Sequence, residues 1–238
     1  MISPRIRALY GAGGAVYATK EAAFTMFILM FYTQVMVLDG SITGLIISLS
    51  LIWDAVSDPL VGAWSDRSRS KYGRRHPFLY ASIIPLGLGF YGLFSPPESF
   101  IGSNVLLGGW LLFWSLWIRT FITTFAVPHL ALSAEITSDY HQRSQVLGAR
   151  LAFMFIFTVG LPAVGLLYIF AETGGVDGRF ELSNYPIYGG LSCLVIWVMG
   201  TASTVGTRRY AVTPQSTPES LPQRITLLLS LIHISEPT

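Results

Sequence analysis

The chain has 238 residues, 52% of them hydrophobic and only 12% charged, with a mean hydropathy of +0.55. Soluble domains carry about a quarter charged residues, so this chain has too little charge to wet a globule, which excludes a soluble enzyme and a nucleic-acid binder. The net charge of +2 matters less than where its cations lie relative to a bilayer. The one cysteine, Cys193, excludes an internal disulfide framework and a cysteine zinc site.

Six apolar runs, residues 10–38, 42–64, 77–95, 104–134, 146–171 and 186–207, each supply the twenty or so residues with which a helix crosses about 30 Å of hydrocarbon. They predict an all-α membrane protein, a bundle of six transmembrane helices joined by short polar connections. The first run is too long for a cleavable signal peptide and serves as its own insertion signal. Arg5, Arg7, Arg67, Arg69, Lys71, Arg74, Arg75, Arg143, Arg208, Arg209 and Arg224 fall on one side of the membrane. Arg179 stands alone on the other, among Asp39, Glu98, Glu172, Asp177 and Glu181. That asymmetry predicts both ends in the cytoplasm. Residues 211–228 read as the start of a cytoplasmic central loop. The string LSLIHISEPT at 229–238 resembles a translated sequencing adapter, which predicts that the native protein continues past Leu228.

Interior prolines (Pro59, Pro85, Pro128, Pro162) read as kinks, since neighbouring helices can re-satisfy the carbonyls they free. Charges inside the runs say more. Lys20, Glu21, Asp54, Asp58, Arg119 and Arg150 would each cost at least ~2.5 kcal/mol at bilayer depth, and such residues mark pathways or binding sites. Three cations and three anions suggest mutual pairing around one cavity. At 1.5 Å rise per residue, Lys20 and the two aspartates lie at a similar depth of roughly 10 to 17 Å, so Lys20 is placed to meet an aspartate if their helices pack together. Glu21, one residue on, should point elsewhere. Arg119 is placed either to neutralise Glu21 or to bind an anionic group of a substrate.

Asp54 and Asp58, four apart, share a helix face. Their repulsion is relieved by a proton or a bound cation. Pro59 leaves the Ala55 carbonyl without its helical donor, and with Ser57 this makes an oxygen-rich patch suited to a hard monovalent ion. The alternative is a carboxylate pair permanently neutralised by Lys20 and an arginine.

Residues 52–79, IWDAVSDPLVGAWSDRSRSKYGRRHPFL, resemble the signature of the glycoside–pentoside–hexuronide:cation symporters, the melibiose permease-like group of the major facilitator superfamily. The block VPHLALSAEITSDYHQRSQVLGAR at 127–150 and FYTQVMVL near the end of the first run resemble the same family. The likeness covers nearly all of residues 8–210 and matches only the N-terminal half of a twelve-helix carrier, built as two inverted three-helix repeats, 10–95 and 104–207.

That resemblance implies a cation site at Asp54, Ser57, Asp58 and Thr123, taking Na+ or H+ as coupling ion and no other cofactor. It carries the sugar-site arginine to Arg150. Ala18, Ala126 and Leu130 depart from the family's sugar-binding residues, so Lys20, Glu21 and Arg119 join Arg150 as candidate substrate contacts, with Lys20 alternatively standing in for the cation. Asp66, Arg67, Gly73, Arg74 and Arg75 resemble the cytoplasmic latch of the superfamily, and Glu135 and Arg143 are expected in the same network. His129 reads as structural.

The implied activity is cation-coupled symport of a sugar, glycoside or uronic acid by alternating access in the plasma (bacterial inner) membrane. The partners are a small-molecule solute, the lipid bilayer and a second six-helix half, with no nucleic acid. A carrier of a lysolipid or drug is the alternative, and the six-helix piece alone is expected not to transport. HExxH, GxSxG and other paired nucleophile and base motifs are absent, against an intramembrane enzyme.

Overall fold

The computed structural model describes residues 2–172, 174–175 and 177–210, all of the regular structure being helical. The expectations for 211–228 and 229–238 lie outside these residues. Ser3 caps the first rod, accepting from the Ile6 N–H, and Pro4 fills the first turn, where its missing donor is harmless. That rod comprises α1 (Pro4–Ala22), a π-turn at Ala23–Phe27, the single turn α2 (Ile28–Met30) and a second π-turn at Phe31–Val35. The first π-turn follows Lys20 and Glu21 closely, a common place for such turns to re-aim side chains at functional sites.

Asp39 caps α3 (Gly40–Arg67) with bonds of 2.8 and 3.3 Å from the Ser41 and Ile42 N–H groups. Then follow α4 (His76–Leu93), α5 (Asn104–Ile136), α6 (Tyr140–Val164), which a π-turn at Gly165–Ile169 extends, and α7 (Asn184–Gly206). Among the described residues four helices, Gly40–Arg67, Asn104–Ile136, Tyr140–Ile169 and Asn184–Gly206, are long and apolar enough to cross a membrane. The first rod is broken by its π-turns and loaded with Lys20 and Glu21, while α4 is short and carries His76, Pro77 and Pro85.

The packing pattern has an internal symmetry. α1 lies against α6 and α7, α4 against α5 and α7, and α3 against α5. Exchanging the first three rods with the last three turns the α1–α6 contact into α5–α3 and the α1–α7 contact into α5–α4, and returns α4–α7 to itself. α3 and α6 thus flank the bundle, each resting chiefly on one partner. Their outer faces leave Leu45, Leu49, Val56, Leu60 and Trp64, and Leu151, Phe155, Ile156 and Val159, exposed.

One end is closed by aromatic packing. Phe31 stacks on Tyr185 at 4.1 Å, Phe27 meets Tyr188 at 4.4 Å, and Phe94 and Phe170 complete the cluster. Tyr32 donates to the Leu93 carbonyl at 2.7 Å, so its buried hydroxyl is satisfied. Nearer the other end, glycines let α1 approach its neighbours closely. A Cβ on Gly14 would stand 2.3 Å from the Arg150 carbonyl oxygen, and one on Gly13 would stand 2.2 Å from His129 Nε2. His129 is fully buried, stacked on Tyr10 at 4.4 Å and 3.0 Å from Ser203 Oγ, a packing role.

Because the Gly14 contact is with backbone, Gly14→Leu should lower stability by about 1–3 kcal/mol through overpacking, whereas Gly160→Leu, with open space around it, should change little. Thermal unfolding of the detergent-solubilised chain, followed by fluorescence-detected size exclusion, separates the two.

Candidate cation and solute site

A recess of about 360 Å³ opens between α1, α3, α5 and α6. Tyr17 and Lys20 of α1, Asp54 and Asp58 of α3, Thr123 of α5 and Arg150 of α6 are its polar lining, and Ile122, Ala126, Val127, Leu130 and Met154 its apolar wall. α4 and α7 contribute nothing to the lining. They back the four helices that do.

The oxygens gather on the α3–α5 contact. Thr123 Oγ1 donates to Asp58 Oδ1 at 2.7 Å, and the Ser57 hydroxyl lies 3.4 Å from Thr123 Oγ1 and 3.5 Å from the Asp54 carbonyl oxygen. Ser57 and Thr123 are buried and Asp58 is exposed. The cations gather on the α1–α6 contact. Tyr17 lies between them, with Lys20 Nζ 4.9 Å from its ring centre and the Arg150 guanidinium 5.9 Å away. Tyr17 did not stand out in the sequence, although its place three residues before Lys20 puts both on one helix face.

Two expected pairings are corrected. Lys20 does not meet an aspartate of α3. Its ammonium binds Glu21 Oε1 at 2.6 Å. α1 packs on α6 and α7 rather than along α3, and the flexible lysine stem bends to its chain neighbour although the two backbone positions diverge. Arg119 forms no ion pair with Glu21 and does not line the recess. It is 2% exposed, its Nη1 donates to Asp54 Oδ2, its Nε donates to Ser50 Oγ at 2.8 Å, and its guanidinium lies 4.9 Å over the Phe24 ring. α5 runs along α3, so Arg119 reaches Asp54 directly. Glu21, 39% exposed at its side chain, also stands off the recess wall. Asp54 Oδ1 and Arg150 Nε are buried without a hydrogen-bond partner among the described residues.

A second polar cluster ties α4 to the ends of α3 and α5. Arg75 Nε donates to Glu135 Oε1 at 2.8 Å, Arg75 Nη2 lies 2.9 Å from Asp66 Oδ1, and Arg74 Nη2 lies 3.2 Å from Glu135 Oε1. Gly73, at φ +88°, turns the chain into this cluster, a conformation that strains any residue with a Cβ. Glu135 thus joins Arg74 and Arg75 in the expected network, whereas Arg67 and Arg143, expected there too, make no ion pair among the described residues. α4 packs along α5, while α6, which carries Arg143, packs on α1.

Apolar helices of membrane-spanning length around a charged recess define an integral membrane protein. The chain belongs to the MFS/sugar transport protein family, whose model matches residues 9–231. It is a family of transporters, not of enzymes. The chain is 30% identical to an uncharacterized symporter of Synechocystis over 71% of its length and 31% of the relative's. It is 30% identical to the Escherichia coli protein named "Putative glycoside/cation symporter YagG" over 66% of its length and 35% of that protein's. With the sodium-dependent lysophosphatidylcholine symporter 1 of Gallus gallus it shares 26% identity over 63% of its length and 28% of the relative's. The chain spans about a third of the length of these relatives.

Glu135 and Arg75 have side chains only 7% and 11% exposed, whereas that of Asp66 is 62% exposed. Glu135→Gln, which leaves two guanidinium groups without their buried anion, should therefore destabilise by about 3 kcal/mol, and Asp66→Asn by at most ~1 kcal/mol. Hydrogen exchange should quicken in residues 68–75 for the first variant and stay near the parent rate for the second.

Proposed function

We propose that the chain forms the N-terminal six-helix half of a cation-coupled symporter, both ends cytoplasmic in a plasma membrane, made of two inverted three-helix repeats that work with a second half by alternating access. The self-mapping helix contacts support the repeats, and the span of about a third of its relatives supports the half. One observation carries the cation site: Thr123 of α5 bonds Asp58 of α3 beside Ser57, so hydroxyl and carboxylate oxygens from two helices converge on the recess that Asp54 also lines. Such a set suits a small hard cation, Na+ or H+.

The solute is read as a sugar, glycoside or uronic acid held on the Lys20 and Arg150 side of the recess, with Tyr17 as a ring to stack against it. Glu21 supports Lys20 there rather than touching the solute. A lysolipid is the second reading, favoured by the apolar wall of Ile122, Ala126, Val127, Leu130 and Met154 and by the lysophosphatidylcholine symporters among the relatives. In the proposed cycle the cation neutralises Asp58 and thereby favours the solute-binding conformation, and linkage requires the solute to tighten the cation by the same factor. Asp66, Arg74, Arg75 and Glu135, with Gly73 at the turn, act as the cytoplasmic latch.

Uptake by the complete carrier in proteoliposomes, with a β-glycoside, glucuronate and lysophosphatidylcholine offered in turn, tests this reading. Asp58→Asn should abolish stimulation by sodium or by a proton gradient. Thr123→Ala should raise the half-saturating cation concentration about tenfold, the equivalent of ~1.4 kcal/mol, and Thr123→Ser should restore it. Cation dependence that survives in Asp58→Asn overturns the assignment.

A further inference from the structure

Arg119 has no role in the site just proposed, yet it is the most deeply buried charge beside it, 2% exposed. A buried guanidinium needs an anion, and an anion of a cation site needs to be available to its ion. Asp54 is asked to serve both. Its Oδ2 is held by Arg119 Nη1, while its Oδ1 is buried without a partner among the described residues. Arg119 is itself held on three sides, by Asp54, by the Ser50 hydroxyl at 2.8 Å and by the Phe24 ring at 4.9 Å. Asp54 lines the recess and Arg119 does not.

We propose that Arg119 is a tethered counter-ion that competes with the coupling cation for Asp54. The inference rests on the cation-site reading above and specifies how that site is regulated. With no cation bound, Arg119 neutralises Asp54, so the acid pair carries one uncompensated charge, on Asp58, and its repulsion is largely relieved. A monovalent cation settling at Asp58, Thr123 and Ser57 can reach the unpartnered Asp54 Oδ1, but it gains the full charge of the second carboxylate only as Asp54 loosens its hold on Arg119. Ser50 and Phe24 hold the guanidinium in place against Asp54 and so keep it an effective competitor. Affinity for the ion is thereby held below what two free carboxylates would give. A site that binds too tightly cannot release its ion on the far side, so this competition favours turnover. Arg119 is a positioning residue, acting on the cation through Asp54 rather than touching the solute.

The test is sodium binding to the purified complete carrier by isothermal titration calorimetry at pH 7.5 with choline as the balancing cation, together with sodium-dependent uptake. Arg119→Gln should tighten sodium about tenfold and slow turnover, the signature of an ion released too slowly. Arg119→Lys, which keeps the charge, should stay near the parent in affinity. Ser50→Ala, a mild change, should loosen the tether and tighten sodium two- to threefold, so the idea remains testable where Arg119→Gln fails to fold. Sodium affinity unchanged or weakened in both Arg119→Gln and Ser50→Ala, in a carrier that is itself sodium-dependent, overturns this inference and leaves the cation site standing. A parent carrier that binds no sodium and shows no cation-dependent uptake overturns both.

Discussion

The contact between Arg119 and Asp54 is the constraint on which the interior depends. A guanidinium buried in an apolar bundle is tolerated only with an anion at hand, and this must come from another helix because the only acid of α5 is Glu135, near its far end. That requirement seats α5 along α3 in a register that brings Asp54 and Ser50 level with Arg119. The same register sets Thr123, one turn further along α5, against Asp58, one turn further along α3. Two pairs four residues apart on each helix form a ladder. The first rung is an ion pair and the second a hydroxyl–carboxylate bond, and the first fixes the place of the second.

The opposite wall of the recess is built by exclusion of volume rather than by charge. α1 carries glycine at 11, 13 and 14, and at 13 and 14 a side chain would collide with His129 and with the α6 backbone. The resulting close approach of α1 and α6 brings Tyr17 and Lys20 opposite Arg150. An aromatic cluster of Phe27, Phe31, Phe94, Tyr185 and Tyr188 locks the far end of the first rod against α7 and the end of α4, leaving the recess as the region where side chains are polar and packing is incomplete.

Much of this was legible in the letters. Apolar runs reveal an all-helical membrane chain because no water is available to backbone groups in hydrocarbon and only internal hydrogen bonding satisfies them. The IWDAVSDP core and the basic loop after it identify the family, and Gly73, picked out there only by resemblance, proves to sit at a turn with φ +88°. Which charge meets which was not legible. Depth along each helix placed Lys20 level with Asp54, but pairing depends on which helices touch, and α1 touches α6 and α7 instead. The same gap left Arg119 without its partner and counted Arg143 in an ion network whose pairs it does not join. Helix ends slipped for a simpler reason: caps at Ser3 and Asp139 and π-turns at Phe31–Val35 and Gly165–Ile169 extend or end helices by local hydrogen bonds to which hydropathy is blind.

The exchange symmetry of the bundle bears on how one recess could couple two ligands. The pairs α5–α3 and α1–α6 are equivalents under that exchange, yet their chemistry has diverged. Asp54, Ser57, Asp58, Arg119 and Thr123 all lie on the first pair, and Tyr17, Lys20, Glu21 and Arg150 all lie on the second. On the proposed reading the cation therefore binds wholly to one pair and the solute's polar groups wholly to the other, with the recess as their shared space. Neither ligand has to touch the other's residues. Each ligand favours the arrangement in which the two pairs face one another across a closed recess, so binding either one lowers the free energy needed to organise the site for the other. Coupling then follows from the relative position of two helix pairs, which α4 and α7 hold from behind.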